Sequence, residues 1–171
     1  MRFFLLLVLF CSSSVWAWQT QTLLEPGQGR WGFSATPELR INNQGVGYRL
    51  KLSSLYTSGD HGLELGVAGQ VFDTEYMGDN QNIAFYGLVL GYRFLPFEIG
   101  YLDSNLTMGA AVIDQTTAYA AELSAAWKIN VSSWLQVGAG LAVLQSAPPN
   151  NADMESLQDV QMRMLLELGK F

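Results

Sequence analysis

From residue 30 onward the sequence predicts an all-β fold, an eight-stranded antiparallel up-and-down transmembrane β-barrel. Large apolar residues alternate with small or polar residues in segment after segment, which is the two-residue period of a β-strand. The charged residues of these segments lie on the face opposite the large apolar residues. That face is also rich in glycine, alanine and serine, whereas a strand surface in contact with water disfavours glycine. Together the patterns predict a closed barrel with apolar residues toward lipid and paired charges inside.

The segment before the strands is predicted to be a secretory signal peptide, residues 1–17. Arg2 provides the positive charge, residues 3–10 form an apolar run, and Ala17 ends a site with short side chains for signal peptidase. The run is shorter than the roughly 20 apolar residues of a membrane-spanning helix. Cys11 is the only cysteine, so removal of the leader would leave a mature chain without disulfides. Residues 18–29 are then a periplasmic tail, and residues 30–171 form the barrel.

Six segments show a clean alternation, and we interpret each as one strand. They are 46–56, 62–72, 82–94, 117–129, 134–145 and 158–170. In a seventh segment, 30–41, Pro37 cannot donate a ladder hydrogen bond, so this strand is predicted to be bulged there or to begin only at Glu38. In the eighth, 97–112, the apolar positions change parity at Asp103 to Asn105. A bulge within one long strand is favoured, because a turn would leave a first strand too short to cross a bilayer.

The connections between these strands alternate between the two ends of the predicted barrel. We assign 57–61, 95–96 and 130–133 to the periplasm. We assign 42–45, 73–81, 113–116 and 146–157 to the outside, where 73–81 and 146–157 are the longest. The external loops carry acids and no lysine or arginine: Asp73, Glu75, Asp79, Asp114, Asp153 and Glu155. A divalent-cation bridge to lipopolysaccharide phosphates, capture of a cationic partner, or a plain solvated anionic surface are all compatible with this pattern.

The charged face of the strands is predicted to form an ion-pair network in the barrel lumen. The members of this network are Arg40, Arg49, Lys51, Glu64, Arg93, Glu98, Glu122, Lys128, Arg163 and Glu167. Arg30 and Glu38 share that face in the first strand, which gives seven basic and five acidic residues. Buried charges need partners because each unpaired one costs several kcal/mol, and a lumen of eight strands has room only for side chains. We therefore predict a plugged lumen, with a narrow channel or carrier for small solutes as the alternative.

A soluble periplasmic ligand-binding barrel of the lipocalin kind is the rival architecture, since it would bury the large apolar face. The composition opposes it. Hydrophobic residues make up 49% of the chain and charged residues 14%, against about a quarter charged in an ordinary soluble domain. Aromatic residues near strand ends on the apolar face are also typical of the girdles of membrane barrels.

Residues that could support catalysis are few. His61 is the only histidine, and it lies beside Asp60 and near Ser58, so a nucleophilic triad can be imagined. A polar turn with two glycines explains the same residues, and this turn is assigned to the periplasm. We predict no enzyme activity, with a lipid-modifying enzyme as an alternative. No cofactor, no metal and no nucleic acid is expected, because the sequence has no zinc-ligand pattern, no phosphate-binding loop and no basic patch.

A leader, eight amphipathic strands and a terminal Phe171 resemble the small bacterial outer-membrane barrels of the OmpA and opacity types. The resemblance covers Arg30 to Phe171. It implies a location in the bacterial outer membrane, contact with outer-membrane lipids and lipopolysaccharide, and recognition of Phe171 by the barrel assembly machinery. A monomer with a structural or surface-interaction role is expected. Phe171 is out of phase with the apolar positions 160–168, so a bulge near Gly169 is predicted to restore the register.

Overall fold

The computed structural model describes residues 29–170, apart from 59, 77–78, 98–99, 114–115 and 148–155. Its strands are β1 (Arg30–Ile41), β2 (Val46–Ser58), β3 (His61–Tyr76), β4 (Asp79–Phe97), β5 (Gly100–Ile113), β6 (Thr116–Asn130), β7 (Leu135–Ser146) and β8 (Gln158–Lys170). Each strand pairs antiparallel with the next, and β8 pairs with β1 to close the barrel. The predicted eight-stranded up-and-down barrel is confirmed. The predicted leader, residues 1–17, lies outside the described residues.

The two faces of the wall have opposite chemistry. Along β8, Val160, Met162 and Met164 point outward and are about half exposed, while Gln161 and Arg163 between them are buried. The same alternation runs through the other strands, so most of the large apolar side chains lie outside and the buried charges lie inside. This orientation is the reverse of that in a soluble lipocalin-like barrel, in which the apolar face is buried. Among the described residues, no helix is long and apolar enough to cross a membrane.

Strand β1 runs through Pro37 without interruption, so neither expectation for this residue holds. The register with β2 is uniform from Arg30 to Ile41, and Pro37 pairs with Leu50. Against β8 the pairing stops after Ala35 and resumes at Glu38 in the same register. Proline has no N–H to donate, so it leaves a gap in one ladder while the strand itself continues.

Strand β5 is a single strand, but the predicted bulge at Asp103 to Asn105 is absent. The β5–β6 register is uniform, and the register shift lies instead between Phe94 and Phe97 of β4. The parity change in the sequence has another cause: Tyr101 points into the lumen and is only 1% exposed. Because large aromatic residues were expected on the outer face, this inward tyrosine gave the wrong parity for the start of the strand.

Two further expectations need correction. Residues 73–81 are not a long loop, because the β3–β4 ladder continues to the pair of Tyr76 and Asp79, and the connection is two residues long. The β7–β8 connection after Ser146 is therefore the longest one. The predicted bulge near Gly169 is also absent, since the β8–β1 register is uniform to Lys170. Phe171 itself lies outside the described residues.

Candidate functional site

The lumen contains equal numbers of buried basic and acidic side chains among the described residues. The six basic ones are Arg40, Arg49, Lys51, Arg93, Lys128 and Arg163. The six acidic ones are Glu38, Glu64, Asp103, Glu122, Asp159 and Glu167. All the residues predicted for the lumen network lie here except Glu98, which is outside the described residues. Arg30 is exposed at the start of β1, so it does not belong to this set.

Sequence reasoning missed Asp103 and Asp159 as lumen residues. Because a bulge was predicted at Asp103 to Asn105, the alternation assigned no face to Asp103. Leu102 and Leu106 both point outward, so an unbroken alternation would have placed Asp103 inward. Asp159 is the second residue of the predicted segment 158–170 and was not included in the predicted network. It nevertheless shares its parity with Arg163, and that was the available signal.

We name the first group of charges, toward the long β7–β8 connection, the arginine cluster: Glu38, Arg40, Arg49, Glu122 and Arg163. The Glu38 carboxylate accepts from Arg40 Nε at 2.9 Å and from Arg163 Nη2 at 2.8 Å. The Glu122 carboxylate accepts from both terminal nitrogens of Arg40 at 3.2 Å and from Arg49. Two carboxylates thus bind three guanidinium groups from three strands, a geometry that suits the planar arginine fork.

A third carboxylate is connected to this cluster through an amide. Gln161 Oε1 accepts from Arg40 Nη1 at 3.3 Å and from Gln70 Nε2 at 2.8 Å. Gln161 Nε2 donates to Asp159 Oδ2. Asn42, in the β1–β2 connection, donates to both oxygens of Asp159 at 3.2 Å. Three arginines are therefore matched by three carboxylates at this level of the lumen.

We name the second group, toward the short turns, the lysine cluster: Lys51, Glu64, Arg93, Asp103, Lys128 and Glu167. Asp103 contacts Lys128 directly and lies within 3.8 Å of Lys51 Nζ and 3.9 Å of Arg93 Nε. Lys51 also pairs with Glu64 at 2.7 Å, and Arg93 with Glu167 at 2.9 Å. Six strands contribute, and the charges balance at three of each sign.

Tyr101 lies beside the lysine cluster. Its hydroxyl donates to Gln136 Oε1, and the guanidinium carbon of Arg93 lies 4.4 Å from its ring centroid. Gln136 Nε2 donates in turn to Asn130 Oδ1 at 2.8 Å. The aromatic ring therefore binds a cation with its face and a neutral amide with its hydroxyl.

We expect Tyr101→Phe to lower the free energy of unfolding by about 1 kcal/mol, because the buried Gln136 oxygen loses its donor. Urea unfolding of the folded barrel in detergent measures this. Tyr86→Phe, on the outer face, is the matched control and should change the value by less than about 0.5 kcal/mol. Equal effects of the two variants would contradict a buried hydrogen bond at Tyr101.

A cluster of apolar side chains, which we name the apolar cap, lies on the inner face at the barrel end that carries the β7–β8 connection. Its members are Phe72, Ile83, Phe85, Ala111, Ile113, Ala120, Leu144 and Leu157. They come from the adjoining ends of β3 to β7 and from the residue before β8. Ile83, Ala111, Ile113 and Leu144 are fully buried. Because an ion loses its hydration beside apolar side chains, this part of the inner face disfavours ion passage.

The His61 side chain lies against two aromatic residues of β4. It is exposed on the outer face, Nδ1 lies 2.6 Å from the Tyr92 hydroxyl, and the ring stacks against Tyr92 and Phe94 with centroids 5.9 and 5.5 Å away. The structure places it among aromatic residues at the wall. In the described part of the chain, no group of three or more histidine, cysteine or acidic side chains is placed to hold a metal ion.

The outer face carries two bands of aromatic residues. Three strands each have an aromatic pair spaced by eight residues: Tyr48 and Tyr56, Tyr86 and Phe94, Tyr119 and Trp127. At about 3.3 Å per residue and a tilt of about 40°, this spacing spans roughly 20 Å along the barrel axis. Leucine, valine and methionine fill the exposed wall between the bands. Membrane barrels have an apolar band about 25 Å tall between aromatic girdles, and the spacing here is within about 5 Å of that height.

No family model and no curated protein matches the sequence. Among solved structures, Neisserial surface protein A (NspA) superposes with a TM-score of 0.54 at 14% identity, covering 84% of this chain and 99% of that one. A de novo designed transmembrane β-barrel gives 0.46 at 13% identity, with coverages of 85% and 98%. Ail, the attachment invasion locus protein of Yersinia pestis, gives 0.46 at 14% identity, with coverages of 86% and 100%. The similarity to the Neisserial protein confirms the predicted class of small outer-membrane barrels at the level of the fold.

Proposed function

We propose that this chain is an outer-membrane β-barrel with a plugged lumen and a structural or surface-interaction role, without catalysis. The proposal rests on the different chemistry of the outer and inner faces of the barrel wall. Bulky apolar and aromatic side chains cover the outside over roughly 20 Å, and the described part of the lumen carries twelve buried charges. In water such a surface would leave a large apolar area exposed, which is unfavourable for a soluble monomer.

Membrane fractionation tests the proposed location. The mature protein should stay with the outer-membrane fraction after carbonate extraction, and it should migrate differently on gels before and after heating, because a folded barrel resists detergent. Release by carbonate without detergent would contradict the proposal and favour the soluble periplasmic alternative.

The plug is supported by the balance of charges and by the apolar cap. Each cluster pairs its own charges, so the described residues of the lumen form no row of like charges that would select an ion. The cap lies on the inner face of β3 to β7, toward the same end of the barrel as the arginine cluster. These two features favour a structural lumen over the alternative of a narrow channel or carrier.

We expect no discrete conductance steps when the purified barrel is inserted into planar bilayers, because side chains that pair with one another and the apolar cap occupy the lumen. Insertion is verified independently by protease protection of reconstituted vesicles. A known porin in the same bilayers provides the positive control. Reproducible unitary currents from the wild-type protein would contradict the plug.

The enzyme alternative depends on His61, whose surroundings are aromatic. We expect His61→Ala to leave any hydrolysis of phospholipid or lipid A at the level of the wild-type protein. The measurement is product release from labelled lipid vesicles containing either variant. Wild-type hydrolysis that is lost in His61→Ala would contradict the non-catalytic proposal.

The proposal also includes the partners expected from the sequence. Outer-membrane lipids and lipopolysaccharide would surround the wall of a monomer. The barrel assembly machinery would recognise the last strand, including Phe171. Any partner outside the cell would meet the end that carries the longest connection. Exposed Asp73, Glu75 and Asp79 give the described part of that end a negative charge.

A further inference from the structure

Four inward positions form one row across the inner wall of the barrel, beside the lysine cluster. They are direct partners in the strand register: Glu64 of β3, Gly91 of β4, Asn105 of β5 and Ser124 of β6. Glu64 belongs to the lysine cluster, and both Asn105 and Ser124 are buried. Gly91 has no side chain, so the lumen in front of it is left to the polar groups of its neighbours.

The side-chain oxygen of Asn105 has no hydrogen-bond donor among the described residues. Its amide nitrogen donates to Asp103 Oδ2 at 3.1 Å. A methyl group on Gly91 would lie 2.8 Å from Glu64 Oε2 and closer still to Asn105 Oδ1, so these two acceptors converge on one point. Turning the amide over would bring its oxygen to Asp103 Oδ2, which is another acceptor. Both orientations therefore require a donor, and ionised carboxylates have none to give.

The hydroxyl of Ser124 has the complementary requirement. Ser124 is the cross-strand partner of Asn105, and the Cβ atoms of such a pair lie about 4.5–5.5 Å apart. Its Oγ nevertheless makes no hydrogen bond with any described residue. Glu64 Oε2 accepts from Lys51 Nζ at 2.9 Å and keeps a further lone pair. The row thus offers one hydroxyl donor and two acceptor oxygens.

Water fits this set of groups better than an ion does. A water molecule donates two hydrogen bonds and accepts others, and a buried water typically makes about three bonds to groups that are otherwise unsatisfied. A cation would add positive charge to the lysine cluster, whose three basic and three acidic side chains already balance. An anion would be repelled by the oxygens of Asn105 and Glu64.

We propose that the lumen binds one ordered water molecule at this row, which donates to Asn105 Oδ1 and Glu64 Oε2 and accepts from the Ser124 hydroxyl. The bound water joins β3, β5 and β6 and completes the hydrogen bonds of buried groups that the ion pairs leave unsatisfied. This inference depends on the plugged lumen proposed above, because an open lumen would contain bulk water in place of a single bound molecule.

A crystal structure of the wild-type barrel, at a resolution that shows ordered water, tests the site. A solvent peak should lie about 2.5–3.0 Å from Asn105 Oδ1, Glu64 Oε2 and Ser124 Oγ. Crystals soaked in rubidium bromide should give no anomalous signal at this position. An anomalous signal from either ion there would overturn the assignment to water. A direct hydrogen bond from Ser124 to Asn105, with no solvent peak, would overturn the site.

Nuclear magnetic resonance of the folded barrel in detergent provides a second measurement. A water held in the lumen should give a nuclear Overhauser effect on the side-chain amide protons of Asn105. Ser124→Val removes the donor and fills the site with methyl groups, so this effect should be lost. Ser34→Ala is the matched control and should keep the effect, because the Ser34 hydroxyl is bonded to Ser53 at 3.0 Å. Equal effects in Ser124→Val and the wild type would contradict the site.

Should Ser124→Val fail to fold, the crystal structure of the wild-type barrel still decides the question, since it needs no variant. Failure of this inference is distinguishable from failure of the plug. Unitary currents in planar bilayers would contradict the plugged lumen itself. A barrel that conducts no current and shows no solvent peak at the row would contradict only the bound water.

Discussion

Replacing Glu122 with alanine is expected to lower the free energy of unfolding by about 3–5 kcal/mol. Glu122 is fully buried and accepts hydrogen bonds from Arg40 and Arg49. Arg40 keeps Glu38 as a partner in the variant, but the one described hydrogen bond that Arg49 keeps is to the Thr107 hydroxyl. A buried guanidinium without a carboxylate is far from water and cannot lose its proton. The unpaired charge therefore raises the free energy of the folded state.

Urea titration of the barrel in detergent, followed by tryptophan fluorescence and heat-modifiable gel mobility, measures this effect. Glu75→Ala, at an exposed position, should change the value by less than about 0.5 kcal/mol. Removing Arg49 together with Glu122 should recover part of the loss, with a coupling energy of about 1–3 kcal/mol. A loss below about 1 kcal/mol in Glu122→Ala would mean that the lumen is hydrated enough to screen its charges.

An arginine in place of Leu65 or Leu141 is expected to destabilise the barrel by about 2–4 kcal/mol in a bilayer. Both leucines are 58% exposed on the outer wall, between the two aromatic bands. A cation there would lie in hydrocarbon unless its long side chain reaches the head groups.

Folding into phospholipid vesicles at increasing urea concentration measures this cost. Gln145→Arg offers a depth control, because Gln145 is exposed on the same face but close to the loop end of β7. The cost there should fall to about 0–1 kcal/mol. If Leu65→Arg and Leu141→Arg fold as well as the wild type, the outer wall does not face lipid and the proposed location is wrong.

The strands and their faces were predictable because both depend on local order in the sequence. Alternation such as that of Val160, Met162 and Met164 against Gln161 and Arg163 needs no knowledge of distant residues. That the charged face points into the lumen followed from the low share of charged residues in the chain and from the glycine, alanine and serine on the same face. One phase error at Tyr101 was enough to move Asp103 out of the predicted network, since a shift of one residue exchanges the two faces of a strand.

The sequence by itself determined the number of strands, their order and which face of most of them carries the charges, because these are properties of neighbouring residues. Only the tertiary structure decided which charges meet. Arg49 and Glu122 lie on β2 and β6, and Arg93 and Glu167 on β4 and β8, so their contacts depend on the register around the whole closed barrel. The apolar cap could not be predicted for the same reason. It brings together side chains from β3 to β7 at one end of the barrel, and which residues meet there depends on the tilt and stagger that closure imposes.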